Sequence, residues 1–181
     1  MNGAKTIPRA ESPDADWRGA ISKELKKAER LFVLGIGNRR KGDDAAGGLC
    51  VRLLSKQMAK KSAARKIRIL DAGETPESAT GLIRKFRPTH VLIVDAAVGD
   101  HQPGTIFFID KKKILQEDIS THRLPLFHLV RYLEESIGCR VILVGIEPQE
   151  IAWRRPVSAT VRAAVSQLAA GLADIWTARR P

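Results

Sequence analysis

The chain has 181 residues, of which 44% are hydrophobic and 28% charged, with a formal net charge of +11. That is the size of one domain with an ordinary core, and it excludes a disordered or fibrous chain. The longest apolar runs, such as HVLIVDAAV, are far shorter than the roughly 20 residues a membrane-spanning helix needs.

The surplus charge is local. Residues 1–70 hold 17 Lys and Arg against 7 Asp and Glu, whereas residues 71–181 hold 14 against 13. Aromatic residues make up 5% of the chain, with no run of them interleaved among the basic residues as a single-strand binding surface requires. No specific nucleic-acid partner is therefore expected. The basic face reads first as solvated surface, and second as an attraction for an acidic protein. Cys50 and Cys139 lack CxxC spacing and fit reduced, buried thiols. The first residues lack the apolar stretch of a secretion signal, so the cytoplasm is the expected compartment.

In chain order, residues 1–28 read as a basic N-terminal extension, loose at first and then forming a short helix from Trp17 with Ile21, Leu25 and Ala28 on one face. Residues 29–181 read as a single α/β domain. Strands are predicted at Leu31–Gly35, Ile67–Asp71, His90–Asp95, Thr105–Ile109 and Arg140–Val144. Helices are predicted over Asp44–Lys60, Pro76–Phe86, Pro125–Ile137 and Val157–Arg179. Alternating strands and helices imply a three-layer sandwich, a five-stranded, mostly parallel, twisted sheet flanked by helices. VLIV at 91–94 and VILV at 141–144 are continuously apolar and so belong at the centre. The run GTIFFID follows Asp95 too closely for a crossover helix, which suggests an antiparallel or edge strand.

The segment LFVLGIGNRRKGDD resembles a phosphate loop in its glycine spacing, but Asp43 and Asp44 stand where that loop needs lysine and a hydroxyl. GIGNRRKG is not a dinucleotide fingerprint either, and the chain has no G-x-S-x-G elbow. Ligands of open α/β sheets sit beyond the carboxyl ends of the strands. There the first strand leads to Asp43 and Asp44, the second ends in Asp71 and the third in Asp95, while His122 sits in a loop before the helix that Pro125 would start. Such a rim repels phosphate and attracts a divalent cation. Two carboxylates and one imidazole can hold a metal with a coordination position left open, and Asp44, Asp95 and His122 are the candidates. The plainer readings are an N-cap for Asp43 or Asp44 and strand-end turns for Asp71 and Asp95. His101 is a weaker rival to His122, while His90 lies at the wrong edge of the sheet and His128 inside a helix.

Five stretches occur in the order GIGNRRKGDDAAG, LDAGETPES, LIVDAAVGDHQPGTI, STHRLPL and VGIEPQEI. Together they resemble the nickel–iron hydrogenase maturation endopeptidases, especially the branch serving hydrogenase 3-type large subunits. The resemblance implies removal of a C-terminal peptide from a nickel-loaded large-subunit precursor. It implies that Asp44, Asp95 and His122 contact nickel delivered with the substrate and are also the catalytic set, a resident zinc-type divalent ion being the competing arrangement. It further implies substrate-positioning or supporting roles for Asp71 and Asp43, and room near the metal at Gly73. The family often has GDDGxG, whereas Ala45 and Ala46 precede Gly47 here. The alternative from another class is a non-catalytic metal-centre chaperone or binding module for a metalloenzyme precursor.

Overall fold

The computed structural model describes residues 16–59, 61–111, 114 and 123–179. Its strands are β1 (Leu31–Ile36), β2 (Ile67–Gly73), β3 (His90–Ala96), β4 (Ile106–Phe108) and β5 (Arg140–Ile146), in one sheet of order β2-β1-β3-β5-β4. Four run parallel, and β4 lies antiparallel on the edge beside β5. The helices are α1 (Trp17–Leu25), α2 (Ala46–Met58), α3 (Thr80–Phe86), α4 (Arg123–Tyr132) and α5 (Ala159–Ala178). The predicted three-layer α/β sandwich is the observed fold.

Successive residues of the central strands point to opposite faces, and both faces are covered, which is why their sequences are apolar throughout. Leu31 and Val33 of β1, Leu92 and Val94 of β3, and Ile142 and Val144 of β5 pack with α1, α2 and α5. Phe32, Leu34, Val91, Ile93, Val141 and Leu143 take the other face with α3 and α4. Each such aliphatic side chain contributes roughly 1.5–3 kcal/mol by leaving water. The helix of the basic extension joins the same core. Ile21 and Leu25 of α1 are fully buried, and a Cβ on Gly171 of α5 would come within 2.5 Å of the Trp17 ring.

Helix ends differ from expectation for local reasons. A short 3-10 turn, Gly42–Ala45, precedes α2 and takes up the residues expected in its first turn. Helix α4 begins at Arg123, two residues before Pro125, because the first turn of a helix needs no N–H from its residues. It finishes in a π-helical turn, Leu133–Ile137, closed by Gly138 in the left-handed region. Among the described residues no helix is long and apolar enough to cross a membrane.

One close approach fixes the functional end of the sheet. A Cβ on Gly47 would lie 2.2 Å from the Val94 carbonyl oxygen and 2.4 Å from that of Ile36. Only glycine lets the start of α2 sit directly on the ends of β1 and β3. The turn that carries Asp43 and Asp44 is thereby held against β3.

Candidate active site

The carboxyl ends of β1, β2, β3 and β5 form the rim. Asp43 and Asp44 lie in the turn above β1 and β3, and both are buried, at 0% and 2% exposure. Asp95, paired in register with Gly145 of β5, is 1% exposed. Asp95 follows Val94, the residue on which Gly47 rests, and Asp44 lies three positions before Gly47. Both residues therefore flank one helix–strand contact in the backbone.

The two adjacent aspartates have different surroundings. Asp43 Oδ2 accepts from the backbone N–H groups of Gln149 and Glu150 at 2.8 and 3.0 Å, and Oδ1 accepts from Ser158 N at 2.6 Å. It locks the loop between β5 and α5. Asp44 Oδ2 accepts from Asn38 N at 2.8 Å, whereas Oδ1 is buried with no hydrogen-bond partner among the described residues. Neither side chain caps α2. An unsatisfied buried carboxylate oxygen costs about 1–3 kcal/mol or more, and such groups call for a functional reason. A divalent cation would satisfy such an oxygen. Among the described residues no three His, Cys, Asp or Glu side chains form a metal-holding group. His122 lies outside the described residues.

Asp71, at the end of β2, is committed elsewhere. Its Oδ2 accepts from Arg39 Nη2 at 2.7 Å and Arg52 Nη1 at 2.6 Å, and its Oδ1 accepts from Gly73 N at 3.2 Å. Burial pushes its carboxyl upward, but the Arg39 hydrogen bond, the Gly73 amide and both guanidinium charges outweigh this and hold it below the ordinary value. Asp71 thus fixes Arg39 on one wall of a cleft of about 350 Å³, lined by Gly37, Asn38, Arg39, Asp71, Gly73 and Glu74. Asn38 Nδ2 donates to Glu74 Oε2 across that cleft at 2.7 Å. Gly73 holds a φ of +60°, a conformation glycine adopts without strain, and a Cβ there would meet nothing within 4 Å.

The histidines separate as their positions suggest. His90, at the opposite end of the sheet, meets Thr89 Oγ1 through Nδ1 at 3.0 Å, and burial, with Arg140 and Arg179 nearby, lowers its pKa. His128 is exposed on α4. The His101 ring packs on Phe107, with centroids 4.6 Å apart. Sequence reasoning missed Glu147. Buried at the end of β5, its Oε2 accepts from Gly99 N at 2.7 Å and His101 N at 3.3 Å, holding the loop that follows Asp95. An acid directly after an apolar strand was the available signal, as it was for Asp71 and Asp95. Both cysteines are free and buried, and burial pushes the Cys50 thiol up to about 12 and the Cys139 thiol up to about 11.

Comparison with known proteins agrees with this architecture. The profile of a family described as HycI, hydrogenase maturation protease, matches residues 49–175, a span that contains Asp71, Asp95 and His122 and begins after Asp44. The hydrogenase 3 maturation protease of Escherichia coli (strain K12) is 36% identical over 134 residues, covering 74% of this chain and 82% of that protein. The crystal structure of a NiFe hydrogenase maturation protease HycI from Thermococcus kodakarensis KOD1 aligns with a TM-score of 0.78 at 32% identity. That alignment covers 87% of this chain and 98% of the other. The solution structure of an endopeptidase HycI from Escherichia coli gives a TM-score of 0.66 at 33% identity, covering 80% of this chain and 89% of that one. With a buried acidic rim on this fold and a profile match over most of its length, the chain belongs to the hydrogenase maturation protease family, a family of peptidases.

Proposed function

We propose that this protein is an endopeptidase that removes a C-terminal peptide from a nickel-loaded NiFe-hydrogenase large-subunit precursor in the cytoplasm. Asp44 and Asp95, together with His122, grip the nickel that the precursor already carries. The observation that supports this most is the buried Asp44 Oδ1, held in place through Asn38 N on its sister oxygen and left without a protein partner among the described residues. A fixed, water-poor carboxylate attracts a cation more strongly than a solvated one.

Nickel is part of the substrate on this reading. Gripping it orients the precursor so that the scissile bond lies beside the rim, turning recognition into positioning. The ion, when bound, can also polarise a carbonyl or acidify a water. The chain's own contribution is orientation. Asn38 and the turn held on β3 fix Asp44, Glu147 fixes the loop after Asp95, and Asp71 holds Arg39 at the cleft wall.

Mass spectrometry of the precursor before and after mixing tests the reading. Loss of one C-terminal peptide is expected from nickel-loaded precursor, with nickel-free precursor left intact. Prior dialysis of the protease against a chelator should leave the rate unchanged. An unaltered mass for the loaded precursor contradicts the reading, and binding without cleavage would favour a chaperone instead.

A further inference from the structure

Two loops meet beside Asp44, residues 37–42 after β1 and residues 147–158 between β5 and α5. Asp43 stitches them together, its carboxylate accepting from Gln149, Glu150 and Ser158 while its own N–H donates to the Glu150 carbonyl at 3.0 Å. Arg154 N donates to the Arg40 carbonyl at 2.6 Å, and Arg154 holds a left-handed φ of 58°. A non-glycine residue keeps that conformation only where its surroundings impose it. The joined loops therefore form a fixed platform.

That platform is basic and carries one aromatic. Trp153 is 63% exposed, with Lys41 Nζ 5.0 Å from its ring centroid. Arg39 is paired with Asp71, Lys41 with Glu74, and Arg155 with Glu150 at 3.8 Å. Arg40 and Arg154 are exposed and make no ion pair among the described residues. Trp and Arg are the side chains most enriched at interface hot spots, and a rigid surface loses little entropy on docking.

We infer that this platform docks an acidic, carboxylate-bearing segment of the precursor polypeptide. The inference rests on the reading above that the precursor is the substrate. A single-stranded nucleic acid is the poorer fit, because it needs several open aromatic faces and this surface offers one, with Lys41 over it.

The test measures association and dissociation of nickel-loaded precursor with the full chain at low and high salt. Charge reversal by Arg40→Glu with Arg154→Glu should slow association about tenfold at low salt, with the gap closing at high salt. Melting should be unchanged, since the linking hydrogen bond uses only main-chain atoms. Trp153→Ala should speed dissociation about tenfold. Lys23→Glu with Lys27→Glu on and beside α1, the same change in charge away from the platform, should alter association less than about twofold.

Normal association of the Arg40/Arg154 variant, or equal slowing by the α1 pair, would overturn the inference. Displacement of the precursor by a single-stranded oligonucleotide would overturn it in favour of general polyanion binding. Binding is read separately from cleavage. A wild type that binds with this salt dependence but leaves the precursor uncut refutes the peptidase reading and keeps the docking. Cleavage by the wild type alongside normal binding by the charge-reversed variant does the reverse.

Discussion

The loop pinned by Asp43 and the cleft edge beside Asp44 are separated by one peptide bond, yet their carboxylates meet opposite conditions. Asp43 receives three backbone N–H groups, whereas Asp44 receives one and leaves an oxygen buried and unmatched among the described residues. Fully satisfied, a buried carboxylate is a structural clamp. Half satisfied, it carries a cost that a bound ion can remove. The difference separates what holds this rim together from what the rim is for.

The largest effect is expected at the acids proposed to grip the ion. Asp95→Asn should cut precursor processing by about 10²- to 10⁴-fold, the range for loss of a group acting at the reacting centre, with the melting temperature close to wild type. Gel-shift or mass analysis of the processed large subunit reads it. On the satisfied side, Asp43→Ala leaves three part-buried N–H groups without their acceptor. A loss of about 3 kcal/mol or more is expected, lowering the melting temperature by roughly 6–12 °C for a chain of this size. Calorimetry or denaturant unfolding measures this. Should Asp43→Ala melt normally but fail in processing, the division between the two neighbours would be lost.

Asp71 gives a pH-dependent test. Its folded carboxyl titrates below the ordinary value of 3.8, so the ion pairs with Arg39 and Arg52 add stability that is fully present above that value. That stability is lost as pH falls through the lower folded pKa. The melting difference between wild type and Asp71→Asn should therefore stay constant from neutral pH to about 5 and shrink in more acidic buffer. A difference growing toward low pH would contradict the pairing. The smallest effect concerns the thiols. Cys50 and Cys139, buried and poorly ionised, should stay unlabelled by a maleimide at neutral pH and react only after unfolding.

Much of the fold could be read from the chain because its signals are local. VLIV and VILV are apolar at every position since helices cover both faces of β3 and β5, and the short spacing before IFF leaves room only for an antiparallel edge strand. The acids at strand ends could be placed on the rim for the same reason. The division of labour among them could not. What distinguishes Asp43 from Asp44 is a loop 106 positions away in sequence, and what commits Asp71 is a pair of arginines approaching from a neighbouring loop and from α2. The position of Glu147 after an apolar strand is visible in the sequence, but its partners, the main-chain N–H groups of Gly99 and His101, are not. The positive φ of Gly73 likewise leaves no mark in the sequence beyond the glycine itself.

The processing rate of Asp44→Asn tests the account most directly. Asparagine keeps an oxygen for Asn38 N and removes the unmatched charge, so the variant should melt at or above the wild-type temperature while leaving nickel-loaded precursor at full length. Processing at the wild-type rate by a folded Asp44→Asn protein would contradict the assignment of that buried oxygen to the substrate's ion.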